Sequence, residues 1–138
     1  MNNKPIEQEQ KILNSLNDFT GSGNFYKDYL GCLLTDGFKE LCEVAGCYWL
    51  FSDVASVLMT SNKLKQEPFI LCKIIKHKDK SCGVMLFRDY RKDDLNFNRE
   101  NLLYIQHYEY TDLPLKDYEF YICLNELNTF TFLLKGEY

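Results

Sequence analysis

The hydrophobic period of this chain changes once, across Ser61–Pro68 ("SNKLKQEP"), and that change limits what it can fold into. Before it, apolar residues recur at helical spacing. After it, they recur at roughly every second residue, the spacing of a half-buried strand. Helices followed by strands read as an α+β protein. The expected architecture is N-terminal helices packed on one face of a four- to five-stranded antiparallel β-meander.

The elements follow from local patterns. In "PIEQEQKILNSLNDF", Ile6, Leu13 and Leu16 approximate one helical face and Pro5 suits a first turn, so residues 1–18 are expected to hold a helix. "TGSGNFYKDY" reads as a turn. Residues 35–61 read as a helical pair. Thr35 or Asp36 caps the first member. Phe38, Leu41, Cys42 and Ala45 form its buried stripe, and Gly46 stops it. Trp49 is expected beneath the corner between the two helices. Residues 68–134 read as the sheet: Phe69–His77, Val84–Arg88, Asn101–Tyr110, Asp117–Leu124 and Thr129–Leu134. In the last two, Tyr118, Phe120, Ile122 and Leu124 share one face, as do Phe130, Phe132 and Leu134. Without repeat or linker, residues 1–138 read as one domain.

Composition narrows the function classes. Apolar residues make up 46% of the 138 residues, enough for a core that buries about two thirds of the unfolded surface. Sixteen basic residues against 20 acidic ones leave a net charge of −4, which supplies no general attraction to phosphate backbones. No stretch is apolar enough to span a membrane, and the polar N-terminus carries no signal-peptide core. A cytoplasmic location is therefore expected, with the six cysteines reduced and acting as small apolar residues.

Candidate chemistry is sparse. Zinc sites in short chains favour close ligand pairs, whereas the nearest cysteines, Cys42 and Cys47, straddle a helix end. Cys72, His77 and Cys82 near one hairpin are the alternative metal set. A thiol nucleophile would need His77 or His107 as its base, and neither stands beside a recognisable nucleophile motif. "TGSGNFY" is neither a phosphate-binding nor a dinucleotide loop. No catalytic residue, metal or cofactor is assigned. Lys73, Lys76, Lys78 and Lys80 form a basic stretch that would serve RNA binding. Interleaved acids and the habit of placing lysines at sheet edges favour a solvated hairpin tip instead.

Ten tyrosines are the most suggestive surplus. Tyrosine offers rigid, amphipathic contact area and is enriched at protein interfaces. A sheet face or edge carrying Tyr104, His107, Tyr108 and Tyr110, with Arg88, Arg91 and Lys92 nearby, is the expected partner surface.

Three segments also resemble a small bacterial family of unknown function. They are "LLTDGFKELCEVAGCYWLFSDVAS", "YTDLPLKDYEFYICLN" and the terminal "GEY". The resemblance spans about residues 19–138 and rests on Thr35, Asp36, Gly37, Ala45, Gly46, Tyr48, Trp49, Leu50, Thr111, Asp112, Pro114, Leu115, Glu137 and Tyr138. It implies a compact bacterial protein of the kind carried by mobile elements, and no activity. With the acidic, tyrosine-rich composition, it leads to an expectation of a non-enzymatic protein-binding module. Such a module would inhibit a bacterial defence system, with an RNA-guided (CRISPR) nuclease or its guide-RNA complex as partner. RNA binding and Cys/His metal binding are the alternatives.

Overall fold

A computed structural model describes residues 4–17, 19, 24–28, 30–88 and 101–138. Among these residues, three α-helices and seven strands form an α+β fold around one mixed sheet. The helices are α1 (Lys4–Leu16), α2 (Asp36–Ala45) and α3 (Tyr48–Thr60). The strands are β1 (Phe25–Lys27), β2 (Leu33–Thr35), β3 (Phe69–Lys76), β4 (Cys82–Arg88), β5 (Leu102–Tyr108), β6 (Asp117–Leu124) and β7 (Phe130–Leu134).

Two expectations are corrected. The sheet has seven strands, not four or five, because part of the segment read as a turn, together with Leu33–Thr35, adds β1 and β2. It is also neither purely antiparallel nor a meander. Its order is β1-β2-β7-β6-β3-β4-β5, and β2 runs parallel to β7. After β5 the chain doubles back across β4 and β3 to lay β6 on the far edge of β3. The physical reason lies in β3, whose first four residues are all buried. A strand so apolar on both faces belongs inside a sheet, paired on both edges. The returning segment has its own anchors. Leu113 and Leu115 are buried, Lys76 Nζ donates to the Leu113 carbonyl at 2.5 Å, and Lys76 N–H donates to the Lys116 carbonyl at 2.7 Å.

The core lies between the helices and one sheet face. Phe38 of α2 meets Phe51 of α3, Phe120 of β6 and Phe132 of β7 at ring-centroid distances of 6.0, 4.7 and 5.3 Å. These are tilted and edge-on geometries that suit aromatic quadrupoles. The expected stripe on α2 is buried as read: Phe38, Leu41, Cys42 and Ala45. Thr35 caps the helix by accepting from Phe38 N–H at 3.2 Å. Gly46 ends it in the left-handed conformation at φ 62°, which glycine adopts without steric cost. Trp49 departs from expectation. It is only partly buried, because the tight corner turns its ring outward along the sheet margin towards β5.

Candidate functional site: an aromatic groove at an open sheet edge

β5 is the last strand of the sheet on one side, and its side chains alternate between two faces. Register with β4 places Tyr104 opposite Leu86, Gln106 opposite Val84 and Tyr108 opposite Cys82, all on the helix-covered face. Ile105 and His107 fall on the other face, opposite Met85 and Gly83. The expected tyrosine surface is therefore split. Tyr104 and Tyr108 come together, His107 points away from them, and Tyr110 stands beyond the strand end, 67% exposed.

α3 completes the surface with residues that the sequence reading did not single out as partner-binding. Trp49 meets Tyr108 edge-on at 5.3 Å, and Tyr108 Oη donates to Asp53 Oδ2 at 2.9 Å. Trp49 and Asp53 stand four residues apart, one helical turn, so both reach the same strand. Between α3 and β5 lies a groove of about 280 Å³, lined by Asp53, Val54, Val57, Tyr104, Gln106 and Tyr108. Burial, then the Asp53 carboxylate that accepts its hydrogen bond, pushes the Tyr108 hydroxyl well above the usual tyrosine range. It stays a neutral donor at physiological pH. Tyr104 Oη donates to Gln106 Oε1 at 2.9 Å, which fixes the groove floor.

Among the described residues, no strand pairs with the outer side of the β5 backbone. His77 N–H donates to the Ser81 carbonyl, and Lys76 N–H donates away from β4 to Lys116. Antiparallel ladders alternate strictly, so odd-numbered residues of β4 bond to β3 and even-numbered ones bond to β5. Tyr104, Gln106 and Tyr108 consequently spend their backbone groups on β4, while Ile105 and His107 turn theirs outward. The His107 carbonyl accordingly takes the Gln106 side-chain amide at 3.1 Å.

The remaining candidates are scattered. Lys73 lies 3.9 Å from Glu119, and Lys76 is held by the Leu113 carbonyl. That leaves Lys78 and Lys80 at the hairpin tip. Arg88 pairs with Glu67 at 3.3 Å, and Arg91 and Lys92 lie outside the described residues. Cys72 is buried opposite Leu86, whereas Cys82 is opposite Lys76, four register steps away. That is about 13 Å along a strand, too far for both sulfurs to bind one ion. Burial pushes both thiols up. Among the described residues, no three His, Cys, Asp or Glu side chains group as metal ligands, and no helix is long and apolar enough to cross a membrane.

At the other end of the sheet, Thr35, Gly37 and Glu137, three of the residues behind the resemblance, meet in a structural junction. The Glu137 carboxylate accepts from Thr35 Oγ1 at 2.6 Å, Gly37 N–H at 3.0 Å and Leu134 N–H at 2.9 Å, all buried. It thereby serves the first turn of α2, where an anion is favoured. A Cβ at Gly37 would lie 2.5 Å from Glu137 Oε1, so only glycine admits the carboxylate. Tyr138 closes over Phe69 and Tyr121 at 5.3 and 5.5 Å. Nearby, a larger cleft of about 490 Å³ runs between α1 and β6. Its lysines, Lys73 and Lys135, both approach Glu119, at 3.9 and 2.8 Å, so both cations already face a carboxylate of the chain.

A family model described as "Family of unknown function (DUF6876)" matches residues 10–138. No curated protein and no solved structure matches the chain.

Proposed function

From a chain that belongs to the DUF6876 family of unknown function, we propose a non-enzymatic protein-binding module whose contact surface is the α3–β5 groove. One observation carries the reading: Trp49, Tyr104 and Tyr108 line a partly open edge, with the Tyr108 hydroxyl held by the Asp53 carboxylate and that of Tyr104 by Gln106. Rigid aromatic rings around a small groove are what anchoring contacts require, and Trp and Tyr dominate such anchors. Asp53 is tied to the Tyr108 hydroxyl, and the other polar groups of the groove are Ser56, Tyr104 and Gln106, a set suited to holding a partner by hydrogen bonds.

The partner's chemistry follows from charge. A net −4 chain with Asp53 in its groove is steered to a basic surface. The mobile-element context implied by the resemblance supplies the class: an RNA-guided (CRISPR) nuclease of a bacterial defence system, whose guide channel is strongly basic. On this reading the chain is an inhibitor that occupies a surface and catalyses nothing.

The test mixes purified protein with the host's guide-loaded nuclease. A stoichiometric complex and loss of target cleavage are expected. Both are expected to weaken at least about tenfold in the Asp53→Lys, Tyr104→Ala double variant, a change of about 1.4 kcal/mol. No complex, uninhibited cleavage, or inhibition indifferent to the double variant would overturn the proposal.

A further inference from the structure

We infer that β5 pairs with β5 of a second copy, antiparallel about a two-fold axis at Gln106, joining two seven-stranded sheets edge to edge. This goes beyond the groove and uses a different part of the strand, its outward backbone.

Three observations carry it. First, Ile105 and His107 hold the outward N–H and C=O groups, and they stand symmetrically about Gln106. An antiparallel copy therefore sets Ile105 opposite the partner's His107 twice over, giving four backbone hydrogen bonds about one dyad. Second, the side chains match themselves. On the helix face, Gln106 meets Gln106 of the partner subunit, and on both sides of it Tyr104 meets Tyr108 of the partner subunit. On the opposite face Ile105, 58% exposed, lies against the partner's His107. Amide pairs and aromatic pairs are favourable across strands. Third, the stretch that would pair carries no charged or proline guard, and the one bulge of β5, at Leu103 where the register with β4 shifts, lies outside Tyr104–Tyr108. Leu102–Tyr108 contains no Lys, Arg, Asp, Glu or Pro, and its seven residues contrast with three in β1 at the opposite edge. No like charges meet, since Glu109 would face Leu103 of the partner subunit. A dyad perpendicular to the sheet keeps both α3–β5 grooves on one side, so the pair presents two contact surfaces to one partner.

Sedimentation equilibrium of the full chain, from micromolar to about 1 mM, tests the pairing. A reversible dimer is expected. It should tighten about two- to fivefold between ~50 and ~500 mM salt, because each copy carries net −4 and salt screens their repulsion. Ile105→Pro removes only an outward N–H, which edge strands tolerate, so it should abolish the dimer while leaving the unfolding midpoint unchanged. Gln106→Cys should give a disulfide-linked dimer under mild diamide oxidation, since a non-hydrogen-bonded pair brings the Cα atoms to about 4.5 Å. Tyr110→Cys, four positions from the dyad, should not. A chain monomeric throughout, or a dimer that survives Ile105→Pro or fails to cross-link at position 106, overturns the inference. A monomer that still inhibits the nuclease overturns self-pairing alone and leaves the groove reading intact.

Discussion

The two ends of this sheet solve opposite problems. At the β2–β7 end, a buried carboxylate from the C-terminus, a threonine cap and a glycine that makes room close the structure around Glu137. At the β5 end, the strand keeps Ile105 58% exposed and turns two residues' backbone groups outward, with tyrosines along its helix face. Polar groups are satisfied within the chain at the first end and left available at the second. The difference teaches where to look: residues locked by three internal hydrogen bonds belong to the fold, and half-buried rings at an open edge are free to serve a partner.

The largest effect should come from breaking the closed end. Glu137→Ala strands the Thr35 hydroxyl and the N–H groups of Gly37 and Leu134 in a buried site. A loss of about 4 kcal/mol is expected, since each unsatisfied buried group costs roughly 1–3 kcal/mol and water relieves part of it. That is a large share of a typical domain stability of about 5–15 kcal/mol. Glu137→Gln keeps acceptor capacity and should lose about half as much. Urea unfolding of both variants measures it. Gly37→Ala comes next, at about 2–3 kcal/mol, because its methyl must displace the carboxylate. If either variant is as stable as wild type, the junction is not what holds this end shut.

Alkaline pH sharpens the same contrast without mutation. Burial raises the Cys32 thiol from 9.0 to about 11, with Asp28 adding to it. Burial also raises the Tyr118 hydroxyl from 10.0 to about 12. Both groups are held neutral by the fold, so their stabilisation is fully present below their unfolded pKa values. The unfolded chain ionises first as pH rises, so this stabilisation is lost between about pH 9 and pH 12. Urea midpoints should fall through that window, and Tyr118→Phe should flatten its upper half.

How much of this was legible in the sequence depends on whether the cause was local. Thr35 as cap, Gly46 as stop and the buried stripe Phe38, Leu41, Cys42 and Ala45 are set by neighbours within one or two turns, and the reading reached them. So were the long strands, whose alternation is intrinsic to them. β1 and β2 were missed because three residues cannot display a period, and β2 joins the sheet only by pairing with β7, about a hundred residues away, while β1 pairs with β2 alone. The reversal that puts β6 beside β3 was hidden for the same reason: alternation says which face a residue takes, not which strand lies alongside. Tyr104 and Tyr108 were singled out from composition, and the structure brings them together on one face of β5. Their partners were not, although Trp49 and Asp53 at i and i+4 on a helix followed by an aromatic strand are a readable signal. Glu137 was noticed only as part of a terminal motif, and nothing local says that it reaches Thr35.

At the open end, Tyr108→Phe deletes the bond to Asp53 and should cost about 1 kcal/mol or less, because the pair is solvent-accessible. Its effect on nuclease capture should exceed its effect on stability, the reverse of Glu137→Gln. A variant pair that moved both quantities in proportion would erase the distinction between the two ends.

The smallest effect belongs to the β3–β4 hairpin tip, which neither closes the fold nor lines the groove. Lys78→Glu with Lys80→Glu should change stability by no more than about 0.5 kcal/mol, the usual range for surface positions. The pair also limits the RNA alternative. With Lys73 beside Glu119 and Lys76 on a backbone carbonyl, the tip has two lysines to place against phosphates. Each neutralised phosphate contributes about −0.7 to −0.9 to the slope of log K against log salt, so two give roughly −1.4 to −1.8. Filter binding to a single-stranded RNA across a salt series is expected to give weak retention and a slope no steeper than this. A slope of about −4 or beyond, abolished by the double substitution, would move the contact surface from the tyrosine edge to the hairpin.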